Sequence, residues 1–203
     1  MTQEIQSTPL DLSALVGSRI CHDLISPLGA IANGVELMAL TGAEQTPEML
    51  LIAESVEAAN ARIKFFRLAY GTAGADQLVR QSELNAIFSA LSRSGRITFD
   101  WRGTNDPLRQ RTQFALLSVQ CLETALPFGG TISVSHHEGQ FTVTGRSERL
   151  RHDPALWAML TDETAVTKVR PSDVHFFLTA QMRAEHQIAL DIEVSDAEIK
   201  MTF

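Results

Sequence analysis

Two apolar seams separated by a short polar break constrain this chain more than any other feature of it. Apolar or small residues recur at Leu10, Ala14, Gly17, Cys21, Leu24, Leu28, Ile31, Val35 and Met38. The steps alternate between four and three, as in a helix packed lengthwise on other helices. Met49, Ile52, Val56, Ala59, Ile63, Phe66 and Tyr70 repeat the rhythm. Between the seams, Thr41-Gly42-Ala43-Glu44-Gln45 reads as a short connection. Thr46-Pro47-Glu48 reads as a helix start, with Thr as N-cap, Pro at the first position and an acid in the first turn. The two helices are therefore predicted to form an antiparallel hairpin. Each also carries apolar residues off its main line, including Val16, Ile20, Leu37, Leu51 and Phe65. One hairpin cannot cover two wide stripes, so the pattern predicts a homodimer in which two hairpins form an isologous four-helix bundle.

His22 sits one position off the first seam, where the bundle can position an imidazole and a large partner can still reach it. Asp23 is turned about 100° further around the helix, so its carboxylate can bend back to the ring and hold one nitrogen as N–H. The other nitrogen then keeps its lone pair for attack on phosphorus. Ser26 lies at i+4 from His22, close enough to touch a phosphoryl group or a water beside it. Pro27 removes a backbone donor next to this cluster and is expected to bend or loosen the helix. Singly, each feature is ordinary, since a His beside an Asp on a helix is usually a solvated pair. Together they make His22 a candidate phosphoacceptor, Asp23 its activating acid and Ser26 a neighbour of the phosphoryl group. Arg19, Leu24, Ile25 and Leu28 surround it as candidate contacts for a partner protein.

Composition narrows the class. The chain has 203 residues, 44% of them hydrophobic, which is enough for one good core or two small ones. A formal charge of −7 disfavours broad nucleic-acid binding. Local basic groups remain: Arg62, Lys64 and Arg67 on one helix, and Arg146, Arg149 and Arg151 in one loop, either of which can complement a small acidic protein or simply be a solvated face. Cys21 and Cys121 lie in helical apolar patterns and read as small core residues, with no metal or disulfide framework suggested. The longest uncharged stretch, Leu24 to Val35, is short for a bilayer span, and no basic region followed by an apolar run opens the chain. A cytoplasmic protein with no membrane partner is the expectation.

Gly71-Thr72-Ala73-Gly74-Ala75 breaks the helical pattern and marks the expected boundary between residues 1–73 and 74–203. Beyond it, Ser82 to Leu91 reads as a short capped helix, Ile97 to Trp101 as a strand and Arg109 to Leu126 as a helix. Thr131 to Ser135 and Gln140 to Thr144 read as strands joined through His136-His137-Glu138-Gly139, whose histidines are expected to face solvent. A helix over Asp173 to Glu185 and a terminal hairpin of Ile188 to Val194 with Glu198 to Phe203 complete an α+β fold.

A helical hairpin with the box His22-Asp23-Leu24-Ile25-Ser26-Pro27-Leu28, followed by an α/β domain, resembles the core of bacterial sensor histidine kinases. The resemblance implies a dimerisation and phosphoacceptor domain joined to an ATP-binding α/β sandwich. The second half departs from that pattern wherever nucleotide would be held. Leu116 to Val134 spans the helix and Gly-Gly turn in which the kinases carry a Mg²⁺-ligating Asn, and it has none. Val143-Thr144-Gly145-Arg146-Ser147-Glu148-Arg149 stands where an adenine-reading Asp and a glycine-rich turn are expected. Lys168-Val169-Arg170-Pro171-Ser172-Asp173-Val174-His175-Phe176-Phe177-Leu178 replaces the lid and has no glycine, without which backbone N–H groups cannot closely approach phosphates. This combination is similar to the ChpT-type histidine phosphotransferases of alphaproteobacteria, with a kinase-like hairpin and a degenerate ATP-binding domain. The resemblance implies a relay in which the receiver domain of a hybrid kinase donates a phosphoryl group to His22. His22 then passes it to the aspartate of a response regulator, with Mg²⁺ brought by the receiver and no cofactor bound by this chain. Arg146, Arg149 and Arg151 are candidates for a second receiver contact. Two rival readings stand beside the relay: an ATP-dependent sensor kinase core with divergent nucleotide motifs, and a non-catalytic dimeric interaction module in which His22 is merely exposed.

Overall fold

The computed structural model describes residues 12–41, 46–74, 76–162 and 169–203. In chain order the elements are α1 (Leu12–Leu40), α2 (Pro47–Tyr70), α3 (Gln81–Ser94), β1 (Ile97–Gly103), α4 (Arg109–Ala125), β2 (Gly130–His137), β3 (Gln140–Arg146), α5 (Pro154–Ala158), α6 (Val174–Glu185), β4 (Asp191–Val194) and β5 (Glu198–Thr202). A 3₁₀ turn over Pro171–Asp173 leads into α6. The expected seam position Leu10, the side chains of Ala14 and Val16, the 42–45 connection, Ala75 and Lys168 lie outside the described residues.

The hairpin forms as its capping chemistry dictates. Met49 N–H donates to Thr46 Oγ1 at 3.3 Å, with Pro47 opening α2 and Glu48 in its first turn. Pro27 lies inside α1, which continues through it to Leu40. The helices approach closely at Gly17, where an added Cβ would meet Tyr70 Cβ at 3.4 Å. The seam itself differs from the expected one. Cys21 is buried, and Ile25, Leu28, Ala32 and Val35 are half-buried along the same side of α1. Leu24, Ile31 and Met38 are 46%, 48% and 49% exposed, and Ile20 is exposed with them. The reason is angular: at 100° per residue the line through 21, 25, 28, 32 and 35 faces α2, and Leu24, Ile31 and Met38 fall on a neighbouring stripe that this hairpin leaves open.

Five strands pair in the order β1-β2-β3-β5-β4, β1 and β2 parallel and the other pairs antiparallel. Alternation puts one set of side chains on the covered face: Phe99 and Trp101 from β1, Ile132 and Val134 from β2, Phe141 and Val143 from β3, Ile199 and Met201 from β5. A chain of ring contacts runs from the hairpin into this core, Phe65 to Phe88, Phe88 to Trp101, Trp101 to Phe141, Phe141 to Phe203 and Phe203 to Phe114. The C-terminal half of α2 is thus part of the sheet's core, with Phe65, Leu68 and Ala69 buried in it. Two side chains of α4 bind carbonyls at and just beyond the end of α2: Gln113 Nε2 donates to Ala69 O at 3.1 Å and Gly71 O at 3.2 Å, and Arg109 Nη2 donates to Arg67 O at 3.1 Å, which also accepts the Gly71 N–H.

Other expectations need adjustment. Helix α3 starts one residue before Ser82, which is not its cap; Asp106 Oδ1 accepts the Gln81 N–H at 2.8 Å from a distant loop. His136 and His137 belong to β2, and the turn is the two-residue Glu138-Gly139, with φ of 50° and 83°. His136 does not face solvent freely, because its ring stacks on Phe141 at 4.4 Å. β4 begins at Asp191 rather than Ile188, whose side chain is buried in the core. Both cysteines are buried, as their apolar patterns predict.

Candidate functional site

His22 projects from α1 with its side chain 82% exposed. Its Nδ1 lies 3.2 Å from Asp23 Oδ1. The other carboxylate oxygen, Asp23 Oδ2, accepts from Arg19 Nε at 2.8 Å. The hydrogen bond to His22, followed by the bond and charge of Arg19, holds the Asp23 carboxyl below the usual carboxylate range. An ionised Asp23 can only accept, so Nδ1 is the donor of this pair, and in the neutral imidazole that tautomer leaves the lone pair on Nε2. Ser26 is exposed one turn further along. Arg19 was expected only as a surface for a partner; its i,i+4 spacing to Asp23 was the available sign of this internal role.

Not every residue expected around His22 is gathered there. Leu24 lies about 160° around the helix from His22, on the stripe with Ile20, Ile31 and Met38. Ile25 and Leu28 turn partly onto α2. Cys21, directly before His22, is inward, and burial pushes its thiol pKa up.

The basic groups divide in the same way. Arg62 is used internally: Nη1 donates to Glu123 Oε1 at 2.9 Å and its guanidinium covers Phe65 and Phe66. Arg67 pairs with Glu83 at 3.1 Å. Lys64 is exposed. Arg146 is the last residue of β3 rather than part of the expected loop, and it pairs with Glu198 opposite it on β5; in the loop that follows, Arg149 lies 4.4 Å over the Phe128 ring and the Arg151 N–H donates to Ala125 O at 2.9 Å. Phe128 is itself exposed, giving that end of the sheet an aromatic and cationic surface.

Along α4, side chains pack against α6. Thr124 Oγ1 is 3.0 Å from His175 Nε2 on α6, and Cys121 Sγ is 3.7 Å from Thr179 Oγ1. Trp157 of α5, which the sequence reading missed, packs edge-on against Phe176 of α6 at 5.5 Å and stacks on His152. Short and flanked by loops, α5 has too few residues for a periodic signal; Asp153-Pro154, with Asp153 Oδ1 accepting from Ala155 N–H at 3.1 Å, was its only local sign.

The profile of the histidine phosphotransferase C-terminal domain matches residues 81–198. The protein phosphotransferase ChpT of Brucella abortus (strain 2308) is 30% identical over 205 residues, covering 98% of each chain. A solved structure described as a bacterial phosphotransferase superimposes with a TM-score of 0.67 at 25% identity, again over 98% of each chain. His22 lies before the matched profile and inside the span covered by both full-length relatives. By identity over nearly its whole length and by its C-terminal half, this chain belongs to the ChpT-type histidine phosphotransferase family.

Proposed function

We propose that His22 is the phosphorylated residue of this phosphotransferase and relays a phosphoryl group between receiver-domain aspartates without using ATP. The observation that carries the reading is the exposed imidazole with Nδ1 held at 3.2 Å by Asp23 and Nε2 open. In uptake, the Nε2 lone pair attacks phosphorus, the bond from phosphorus to the aspartyl oxygen breaks, and the receiver recovers its carboxylate. The Nδ1 proton stays in place, bonded to Asp23, and Asp23 offsets the positive charge that develops on the ring. Transfer onward is the reverse, onto another receiver's aspartate. Little covalent machinery is needed beyond positioning and charge neutralisation. Ser26 is placed to touch the phosphoryl group or a water beside it, and Mg²⁺ is expected to come with the receiver.

Residues 1–73 act in this reading as the dimerisation and phosphoacceptor hairpin, and 74–203 as a degenerate ATP-binding-like domain. The filled face of α4 and the missing glycines support a lobe that has lost nucleotide. The exposed stripe of Ile20, Leu24, Ile31 and Met38 supports a homodimer whose two hairpins make a four-helix bundle. His22 points away from that stripe, so pairing leaves it accessible. The stretch Arg19–Leu40 is long and apolar enough to qualify as a membrane span on length and hydropathy, but one of its sides packs on α2 and another carries Arg19, His22, Asp23, Ser26 and Asn33. A second copy suits such a two-sided helix better than lipid on all sides, in keeping with a cytoplasmic protein. Receiver contact is assigned to the His22 face of α1, including Arg19 and the accessible edges of Ile25 and Leu28, with Arg146, Arg149 and Arg151 as the second contact.

Incubation with a panel of phosphorylated receivers, with and without ATP, tests the proposal. Labelling without ATP, lost in His22→Ala with an unchanged fold, is the expected result; undiminished labelling of that variant would falsify the assignment.

A further inference from the structure

Of the three basic residues singled out on α2, the fold leaves Lys64 unused. Arg62 is bound to Glu123 and Arg67 to Glu83. Lys64 is exposed and has no ion pair or hydrogen bond among the described residues. The carboxylates nearest it along α2 and α3 are taken, Glu83 by Arg67 and Glu57 by Arg93.

Its place on the hairpin follows from how α1 packs on α2. Gly17 and Tyr70 lie opposite one another, an added Cβ on the glycine meeting Tyr70 Cβ at 3.4 Å. Five residues on from Gly17 is His22 and five back from Tyr70 is Phe65, so the antiparallel helices bring His22 to within about one residue of the level of Lys64. Azimuth agrees with level. Cys21 and Ile63 are buried outside the sheet's core, where the two helices meet. His22 and Lys64 are the residues that follow them, each turned about 100° from that contact. On antiparallel helices the two turns go to the same side of the hairpin. Glu36, within about 40° of His22 around α1, lines one groove with Lys64, as that geometry requires. Charge from α2 also reaches this region: at Cys21, burial raises the thiol pKa and the Arg67 charge opposes it.

A phosphoryl group on His22 carries roughly two negative charges at neutral pH, beside the Asp23 carboxylate. Arg19 is the only cation of α1, and it is engaged by Asp23. In the relay reading Mg²⁺ leaves with the receiver. Between transfers the phosphoryl group then stands next to a carboxylate with no free cation on its own helix. Lys64, a compact ammonium on a flexible four-carbon stem, can supply one from α2.

We propose that Lys64 reaches across the hairpin to bind the phosphoryl group carried by His22 and offset its charge. This rests on His22 being the phosphoacceptor. The apolar stripe of α1 is on the other side of that helix, so a second copy packed there leaves Lys64 free.

Potassium phosphoramidate is the probe, because it donates phosphate without docking a receiver: the imidazole nitrogen attacks phosphorus, the P–N bond breaks and ammonia leaves. The full chain is labelled, the site is read by peptide mass, and His22→Ala is the control. In Lys64→Gln, labelling of His22 is expected to slow about fivefold at low salt, and by less at high salt. The ³¹P resonance of its phosphohistidine is expected to titrate about half a unit higher in pH, because the dianion has lost its cation. Lys64→Arg restores both. An unchanged rate and midpoint in Lys64→Gln, or no rescue by Lys64→Arg, overturns the contact and leaves the role of His22 standing. A loss in Lys64→Gln seen only with a phosphorylated receiver as donor also overturns it, making Lys64 a docking residue. No label on His22 of the wild type overturns both the contact and the phosphoacceptor assignment.

Discussion

Asp23 bridges two neighbours on α1, taking His22 Nδ1 at 3.2 Å on one oxygen and Arg19 Nε at 2.8 Å on the other. The carboxylate is therefore held from both sides and fixes which ring nitrogen is free. Asp23→Asn keeps the size but can turn an N–H toward Nδ1, which favours the wrong tautomer. Phosphoryl uptake from a labelled receiver is expected to fall roughly 100-fold. The melting temperature should barely move, because an exposed pair contributes little to stability. Uptake by Asp23→Asn at the wild-type rate contradicts the role given to this carboxylate.

Tyr70 and Gln120 join the hairpin to α4 through a hydroxyl donating to Gln120 Oε1 at 2.6 Å. Gln120 is buried, and its Nε2 has no partner among the described residues. Tyr70→Phe leaves the amide oxygen without its donor, at an expected cost of about 1–3 kcal/mol in denaturant unfolding. Adding Gln120→Leu removes the stranded amide and is expected to recover much of that loss. A double variant no more stable than Tyr70→Phe alone refutes this account.

How much of this was readable in advance depended on how local the determinants were. Thr46-Pro47-Glu48 carries its own capping chemistry, and α2 starts there. The strands Thr131 to Ser135 and Gln140 to Thr144 alternate cleanly, and β2 and β3 contain them. The His22 and Asp23 pair is adjacent in sequence, so its geometry follows from the helix. What escaped was set by distant residues. α3 is capped by Asp106 across a loop, Arg62 is drawn inward by Glu123, and Leu24 is left outside because α2 lies along a different line of α1. A one-dimensional seam cannot say which of two adjoining stripes a single partner helix will cover.

His175 gives the fold a pH dependence. Its burial between α6 and α4 disfavours the imidazolium and lowers its pKa below 6.5, only partly opposed by Asp173. The unfolded chain then binds the proton more readily than the folded one, so stability rises with pH up to about 6.5 and levels off above it. Conversely, it is lost as pH falls through that window toward the folded value. His136 shifts in the same direction, through burial and then Arg111, and adds to the slope. His175→Gln keeps a hydrogen-bonding group for Thr124 and removes the titration. Its Tm between pH 5.5 and 7.5 is expected to vary less than that of the wild type; identical slopes place the dependence elsewhere.

The stripe on α1 makes the oligomeric state a sharp test of the proposed assembly. Ile20, Leu24, Ile31 and Met38 lie within about 40° of one another on the helix and are all exposed in the single chain. Leu50, Leu51 and Ile52 near the start of α2 are also exposed, at the end of the hairpin far from His22. A second hairpin laid on the stripe buries it and leaves the His22 side free. Leu24→Glu with Ile31→Glu places two carboxylates in the middle of that contact with no cation opposite them in the stripe. An unpaired charge there costs several kcal/mol, which raises the dimer Kd by about 100-fold or more. Sedimentation equilibrium is expected to give a dimer for the wild type and a monomer for the double variant. Both substituted residues are exposed, so the far-ultraviolet spectrum of the variant should remain helical. A wild-type chain that sediments as a monomer, or partitions onto phospholipid vesicles instead, assigns the stripe to something other than a second copy.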